Sequence, residues 1–112
     1  MSTIEEIDPV GGNALVEDGA LLLDVRNPDE WEVGHAPAAM FMPLGELQAR
    51  HTELPTDRKI VVICRSGGRS GQATAALNGA GYDDVNLAGG MKAWAAAGLP
   101  VVTDAGAPGD VA

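Results

Sequence analysis

Five short apolar runs mark the chain, separated by stretches with helical spacing and by glycine and proline punctuation. Ala20–Val25 (ALLLDV) and Ile60–Ile63 (IVVI) are continuous apolar runs, the pattern of strands covered on both faces. Ile4–Ile7, Ala39–Met42 (stopped by Pro43) and Val85–Leu87 read as shorter strands. Between them lie the helices. Asp8-Pro9 supplies an N-cap followed by proline at the first helical position, although Gly11 and Gly12 weaken that helix, and Asp18-Gly19 ends it. Asn27-Pro28-Asp29-Glu30 opens a second helix with a cap, a proline and acids in the first turn, and Gly34 closes it. Leu44–Leu54 carries apolar residues at 44, 47 and 54 and reads as a helix ending at Pro55. Ser70–Asn78 packs through its alanines and Leu77, with Gly79 and Gly81 as stops, and Met91–Ala97 is a last helix ended by Gly98.

Strands alternating with helices predict a doubly wound α/β domain, a parallel sheet flanked by helices on both faces. The pattern assigns residues 1–100 to one domain. Residues 101–112, rich in Ala, Gly, Pro and Asp, are expected to form a flexible tail. In such sheets ligands bind beyond the carboxyl ends of the strands.

Composition narrows the function classes. The apolar fraction of 46% in 112 residues supplies a core without metal or disulfide support. Sixteen acidic against seven basic residues give a net charge of −9, a surface that repels nucleic acid and anionic membrane. The single cysteine forms no internal disulfide, fits a reducing compartment and rules out a cysteine-based metal cluster. His35 and His51 lack ligand spacing, so neither metal nor cofactor is expected. The sequence contains no apolar run of about 18 residues, and MSTIEEIDPV lacks a basic region followed by an apolar one. The expectation is a soluble, cytoplasmic protein.

The informative stretch is Cys64-Arg65-Ser66-Gly67-Gly68-Arg69-Ser70, which joins the Ile60–Ile63 strand to a helix start. A helix N-terminus offers unpaired N–H groups and partial positive charge, and glycines let more amides turn inward. Together these make an anion cradle. A thiol inside it ionises more easily, and the thiolate is the nucleophile. A lone cysteine after a strand is otherwise a small buried hydrophobe, and two arginines in a polar loop are otherwise solvated. Two of the seven basic residues within five positions of the only cysteine, in so acidic a chain, favour the chemical reading.

CRSGGRS resembles the active-site loop of the rhodanese (sulfurtransferase) domains. LLLDVRNPDEWEVGHAPAAMFMPLGEL, residues 21–47, is similar to that family's strand with D-V-R, its following E-[YW]-x-x-G-H and its I-P-G-A-x-N-I-P segment. GYDDVNLAGGMKAW, residues 81–94, resembles its G-[YF]-x-x-V-x-x-L-x-G-G-x-x-x-W ending, one residue short between the valine and the paired glycines. Ala36 and Ala39 are further departures, at packing positions. The resemblance runs in order over residues 4 to 99. It implies that Cys64 takes a sulfane sulfur from thiosulfate or a similar small anionic donor, forming a persulfide and releasing sulfite. An external thiol or cyanide then removes the sulfur. It also implies that Arg65, Ser66, Gly67, Gly68, Arg69 and Ser70 bind the donor. Relatives of this fold that handle phosphate or arsenate resemble C-x5-R. Here Cys64 to Arg69 is C-x4-R and position 70 is Ser70, which favours sulfur over a Cys-dependent phosphatase.

Other residues remain open between roles. Asp24 and Arg26 end a buried strand: either one braces the Cys64 loop, or they form an ordinary buried ion pair. The resemblance gives His35 a structural place after Gly34 rather than a general-base role. His51 reads as a solvated helix residue, and Trp31 and Trp94 as core or rim. With no second thiol to resolve a persulfide, an external acceptor is required. A docking or sulfur-carrier module serving a partner protein of a sulfur relay is the competing reading, with the acidic surface as its contact face.

Overall fold

The computed structural model describes residues 4–112; residues 1–3, at the start of the stretch read above for a leader and of the 1–100 domain, lie outside the described residues. Five parallel strands form one sheet: β1 (Glu6–Ile7), β2 (Leu21–Asp24), β3 (Ala39–Phe41), β4 (Ile60–Ile63) and β5 (Asp84–Leu87), in the order β1-β5-β4-β2-β3. The two continuous apolar runs, β2 and β4, pair at the centre in register Leu21↔Ile60 to Asp24↔Ile63. Alternation along them feeds two cores. Leu23, Ile60 and Val62 join Ala73 and Leu77 on one face; Leu22, Val61 and Ile63 join Val85, Leu87, Met91 and Trp94 on the other. The α/β architecture with helices on both faces is thus the one the pattern predicts.

The helices are α1 (Pro9–Glu17), α2 (Pro28–Val33), α3 (Leu47–Arg50), α4 (Gly68–Gly79) and α5 (Gly90–Ala96). The paired glycines do not break α1. The Asp8 carboxylate accepts from the Gly11 amide at 2.7 Å, and a side chain at Gly12 would meet Leu87 Cδ1 at 2.8 Å. Gly12 is there because α1 lies against β5. The 44–54 segment is not one helix: 3-10 turns at Leu44–Glu46 and His51–Glu53 flank the short α3. Its apolar positions 44 and 47 stand three apart, the 3-10 repeat. His51 is not simply solvated, since its Nδ1 lies 3.2 Å from the Tyr82 hydroxyl, which donates to the His51 carbonyl at 2.7 Å. Among the described residues, no helix is long and apolar enough to cross a membrane.

The 101–112 stretch, expected to be flexible, folds back on the domain. His35 and Val102 exchange two backbone hydrogen bonds of 2.9 Å, the Asp110 amide donates to the Val33 carbonyl, and Val111 packs on the core. Asp104 accepts from Trp31 Nε1 at 3.2 Å and lies 3.5 Å from His35 Nε2. Composition hid these contacts because they are mostly backbone-to-backbone. The His35 ring stacks on Trp31 at 3.6 Å, and its Nδ1 lies 3.0 Å from the Trp31 carbonyl, so both ring nitrogens face structural neighbours. Trp94 is core, its Nε1 donating to the Pro100 carbonyl.

One buried group stands out away from the strand tips. Asp84 is 5% exposed, and neither carboxyl oxygen has a hydrogen-bond partner. Burial, reinforced by neighbouring Asp83, pushes its pKa up to about 7. Such a carboxyl keeps its proton in the fold but not in the unfolded chain. The cost of its charge is therefore absent below the ordinary aspartate range, and stability falls as pH rises from about 4 to about 7. We expect Asp84→Asn to be more stable than wild type by about 2–3 kcal/mol at pH 8, the gap closing toward pH 4. Thermal melts of both proteins across that range check it; a gap that does not change with pH would refute the assignment.

Candidate active site

Strand β4 carries Cys64 to the carboxyl edge of the sheet, where the backbone of residues 64–68 turns into α4. Gly67 makes the turn with φ of 109°, a left-handed conformation that a side chain resists, and serves as the N-cap of α4. This is why α4 starts at Gly68, two residues before the helix expected from Ser70. The turn aims the loop inward: the Gly67 amide donates to Cys64 Sγ at 3.0 Å and the Ser70 hydroxyl at 3.2 Å. Ser70 is itself buried and held in place, its carbonyl accepting from Thr74 Oγ1 at 2.7 Å. The Gly67 carbonyl accepts from Asn86 Nδ2 at 3.2 Å, which ties the loop to β5.

The thiol is buried. Burial pushes its pKa up, but hydrogen bonds from the Ser70 hydroxyl and from the Ser70, Gly67 and Ser66 amides outweigh burial, and the pKa falls below the ordinary thiol value. The thiol thus sits among backbone amides, with Ser70 as its leading side-chain donor.

The outer side of the loop rests on α5. The Met91 amide donates to the Cys64 carbonyl at 2.7 Å and the Lys92 amide to the Arg65 carbonyl at 3.0 Å. These carbonyls face the N-terminus of α5, leaving the following amides free to face sulfur. Gly90 permits the approach, with φ of 60° and a hypothetical Cβ 2.4 Å from the Cys64 carbonyl oxygen. The place of Gly89-Gly90 under the Cys64 loop shows up only in three dimensions. Gly90→Ala is expected to destabilise the fold by about 3 kcal/mol and to blunt Cys64 alkylation near neutral pH, because the clash is with backbone and cannot be relieved by a rotamer. A melt paired with iodoacetamide kinetics checks it; wild-type behaviour in both would contradict the packing.

Of the two readings open for Asp24 and Arg26, the structure shows the buried ion pair. Asp24 and Arg26 are fully buried and paired, Arg26 Nη2 to Asp24 Oδ2 at 2.8 Å and Nε to Asp24 Oδ1 at 3.0 Å. Arg26 also donates to the Gly34 carbonyl at 2.8 Å and toward the Glu30 carbonyl at 3.4 Å. The pair therefore fastens the β2–α2 turn. Among the described residues, no side-chain hydrogen bond joins it to residues 64–70. Arg69 meets Glu30 in a two-pronged ion pair, Nη1 to Oε1 at 2.6 Å and Nη2 to Oε2 at 2.8 Å. The Arg69 hydrogen bonds, and behind them the Asn27 amide, hold the Glu30 carboxyl down at about 2, against a smaller opposing effect of burial. Glu30 lies 39 positions from Arg69 and also closes the capping box of α2, the only role its local sequence advertises. Arg65 is exposed, its Nε donating to the Ala112 carbonyl oxygen.

Comparison with known proteins agrees with this geometry. The family model described as Rhodanese-like domain matches residues 12–97. A protein named sulfurtransferase from Allochromatium vinosum is 42% identical over 106 residues, covering 92% of this chain and 99% of its own. The thiosulfate sulfurtransferase GlpE of Pseudomonas syringae pv. syringae is 35% identical over 95 residues, covering 84% and 90%. Other relatives are longer: the chain spans 60% of one and 20% of another. Among solved structures, a rhodanese-related protein from Thermoplasma volcanium superposes with a TM-score of 0.85 at 31% identity, over 89% of this chain and 99% of that one.

Proposed function

Because the chain belongs to the rhodanese-like domain family, in which relatives are sulfurtransferases, we propose that it transfers sulfane sulfur through a persulfide on Cys64. The observation that carries the reading is the thiol ringed by the Gly67 amide and the Ser70 hydroxyl, which lower its pKa at a strand tip. With thiosulfate as donor, the Cys64 thiolate attacks the outer sulfur. A Cys64–sulfur bond forms and the donor's S–S bond breaks, its electron pair leaving with sulfite. Charge balances: one thiolate and one dianion become one persulfide anion and one sulfite dianion. The amides that stabilise the thiolate lie where the persulfide anion needs them. Residues 65–70 would form the wall of the donor site. Discharge falls to an external thiol or cyanide, or to a protein of a sulfur relay, since the chain has one cysteine.

The test is the intact mass of the protein after incubation with thiosulfate, and again after cyanide. Gain of one sulfur atom on Cys64, lost with cyanide, is the expected result. No gain with any small donor would turn the reading toward a docking module that is loaded only by a partner protein.

A further inference from the structure

We propose that Glu30 sets the charge of the site, cancelling Arg69 so that the Cys64 cradle suits singly charged persulfide donors better than the thiosulfate dianion; this rests on Cys64 being the sulfur-accepting thiol. Two cations near the thiol looked, in sequence, like a receptor for a small dianion. In the structure both terminal nitrogens of Arg69 are turned onto the Glu30 carboxylate, and Glu30 is only 12% exposed. A fork-to-fork pair of this kind leaves little for a second anion to grip. Arg26 is likewise consumed by Asp24. Arg65 is the loop's remaining cation, and it is exposed with its Nε donating to the Ala112 carbonyl oxygen.

The charge of the reacting group then decides. Attack on thiosulfate gathers three negative charges, one from the thiolate and two from the donor. Attack on a persulfide, R–S–S⁻, gathers two. There the Cys64–sulfur bond forms, the donor's S–S bond breaks, and the electron pair leaves on the R–S⁻ thiolate, so two negative charges enter and two emerge. Against amides and one arginine the smaller load is the better matched. Glu30 acts through Arg69 and is a positioning residue, not a catalytic one.

Glu30→Gln keeps the shape and an oxygen for the Asn27 amide while releasing Arg69. Loading of Cys64 is followed by intact mass with thiosulfate and with cysteine persulfide as probes. The variant is expected to load thiosulfate about tenfold faster and cysteine persulfide about threefold faster or less. Its iodoacetamide alkylation profile should move to lower pH, a shift that mere loosening of the loop would not give. The wild-type chain offers a control free of folding effects. Its thiosulfate loading should hold level or rise from about 20 to about 200 mM NaCl, whereas a net cationic site would show a steep fall. Such a fall, or unchanged or slower thiosulfate loading in a folded Glu30→Gln variant, would overturn the role of Glu30. Sulfur gain from neither donor in wild type would instead sink the reading of the site itself.

Discussion

Cys64→Ser is expected to lower sulfur loading by about 10³-fold or more while leaving the domain folded. The replacement removes the nucleophile but little of its setting. A serine oxygen at this position can accept from the same Gly67 amide and Ser70 hydroxyl that now surround sulfur, so the new polar atom is not stranded. Its melting temperature should therefore stay within a few degrees of wild type. Intact mass after thiosulfate and a thermal melt measure the two halves of this expectation. Persistent cyanide-labile sulfur in the serine protein would place the acceptor elsewhere and dismantle the mechanism.

The largest loss of stability is expected from Asp24→Ala. Arg26 would remain fully buried with its partner gone, and stranding one half of a buried ion pair costs about 3–5 kcal/mol. For a domain of this size the melting temperature should drop by roughly 15 °C. The double replacement Asp24→Leu with Arg26→Met removes both charges and should recover a good part of the loss. Recovery would be incomplete, since Arg26 also satisfies the Gly34 carbonyl. If the single variant melts like wild type, the pair is not what fastens the β2–α2 turn. The two variants also separate stability from chemistry, because among the described residues no side-chain hydrogen bond joins the Asp24–Arg26 pair to residues 64–70.

Which parts were legible in the sequence follows from the range of the physics involved. The β2 and β4 runs announce themselves because burial on both faces demands unbroken apolar residues, and the Cys64 loop because amides, glycines and thiol are consecutive. Three features were illegible for a shared reason. The Glu30–Arg69 pair joins residues 39 positions apart, so the arginine that looked free for a donor is engaged. The fold-back of 101–112 depends mostly on backbone hydrogen bonds, which no residue type signals. Gly12 weakens a helix by propensity yet belongs in one, because α1 lies so close to Leu87 there. The broken 44–54 helix lies closer to the surface of the sequence, in an apolar spacing of three that fits an ordinary helical repeat equally well.

Helix α5 holds the Cys64 and Arg65 carbonyls through the Met91 and Lys92 amides. The loop's conformation is therefore inherited from a helix almost thirty residues downstream in the chain, and the two cannot diverge independently. Loop side chains that do not touch sulfur can change without disturbing its backbone, provided Gly67, Ser70, the paired glycines and the first amides of α5 stay in place. The backbone of the loop is in this way set by α5, while the side chain that donates to sulfur, Ser70, is written in the loop's own sequence.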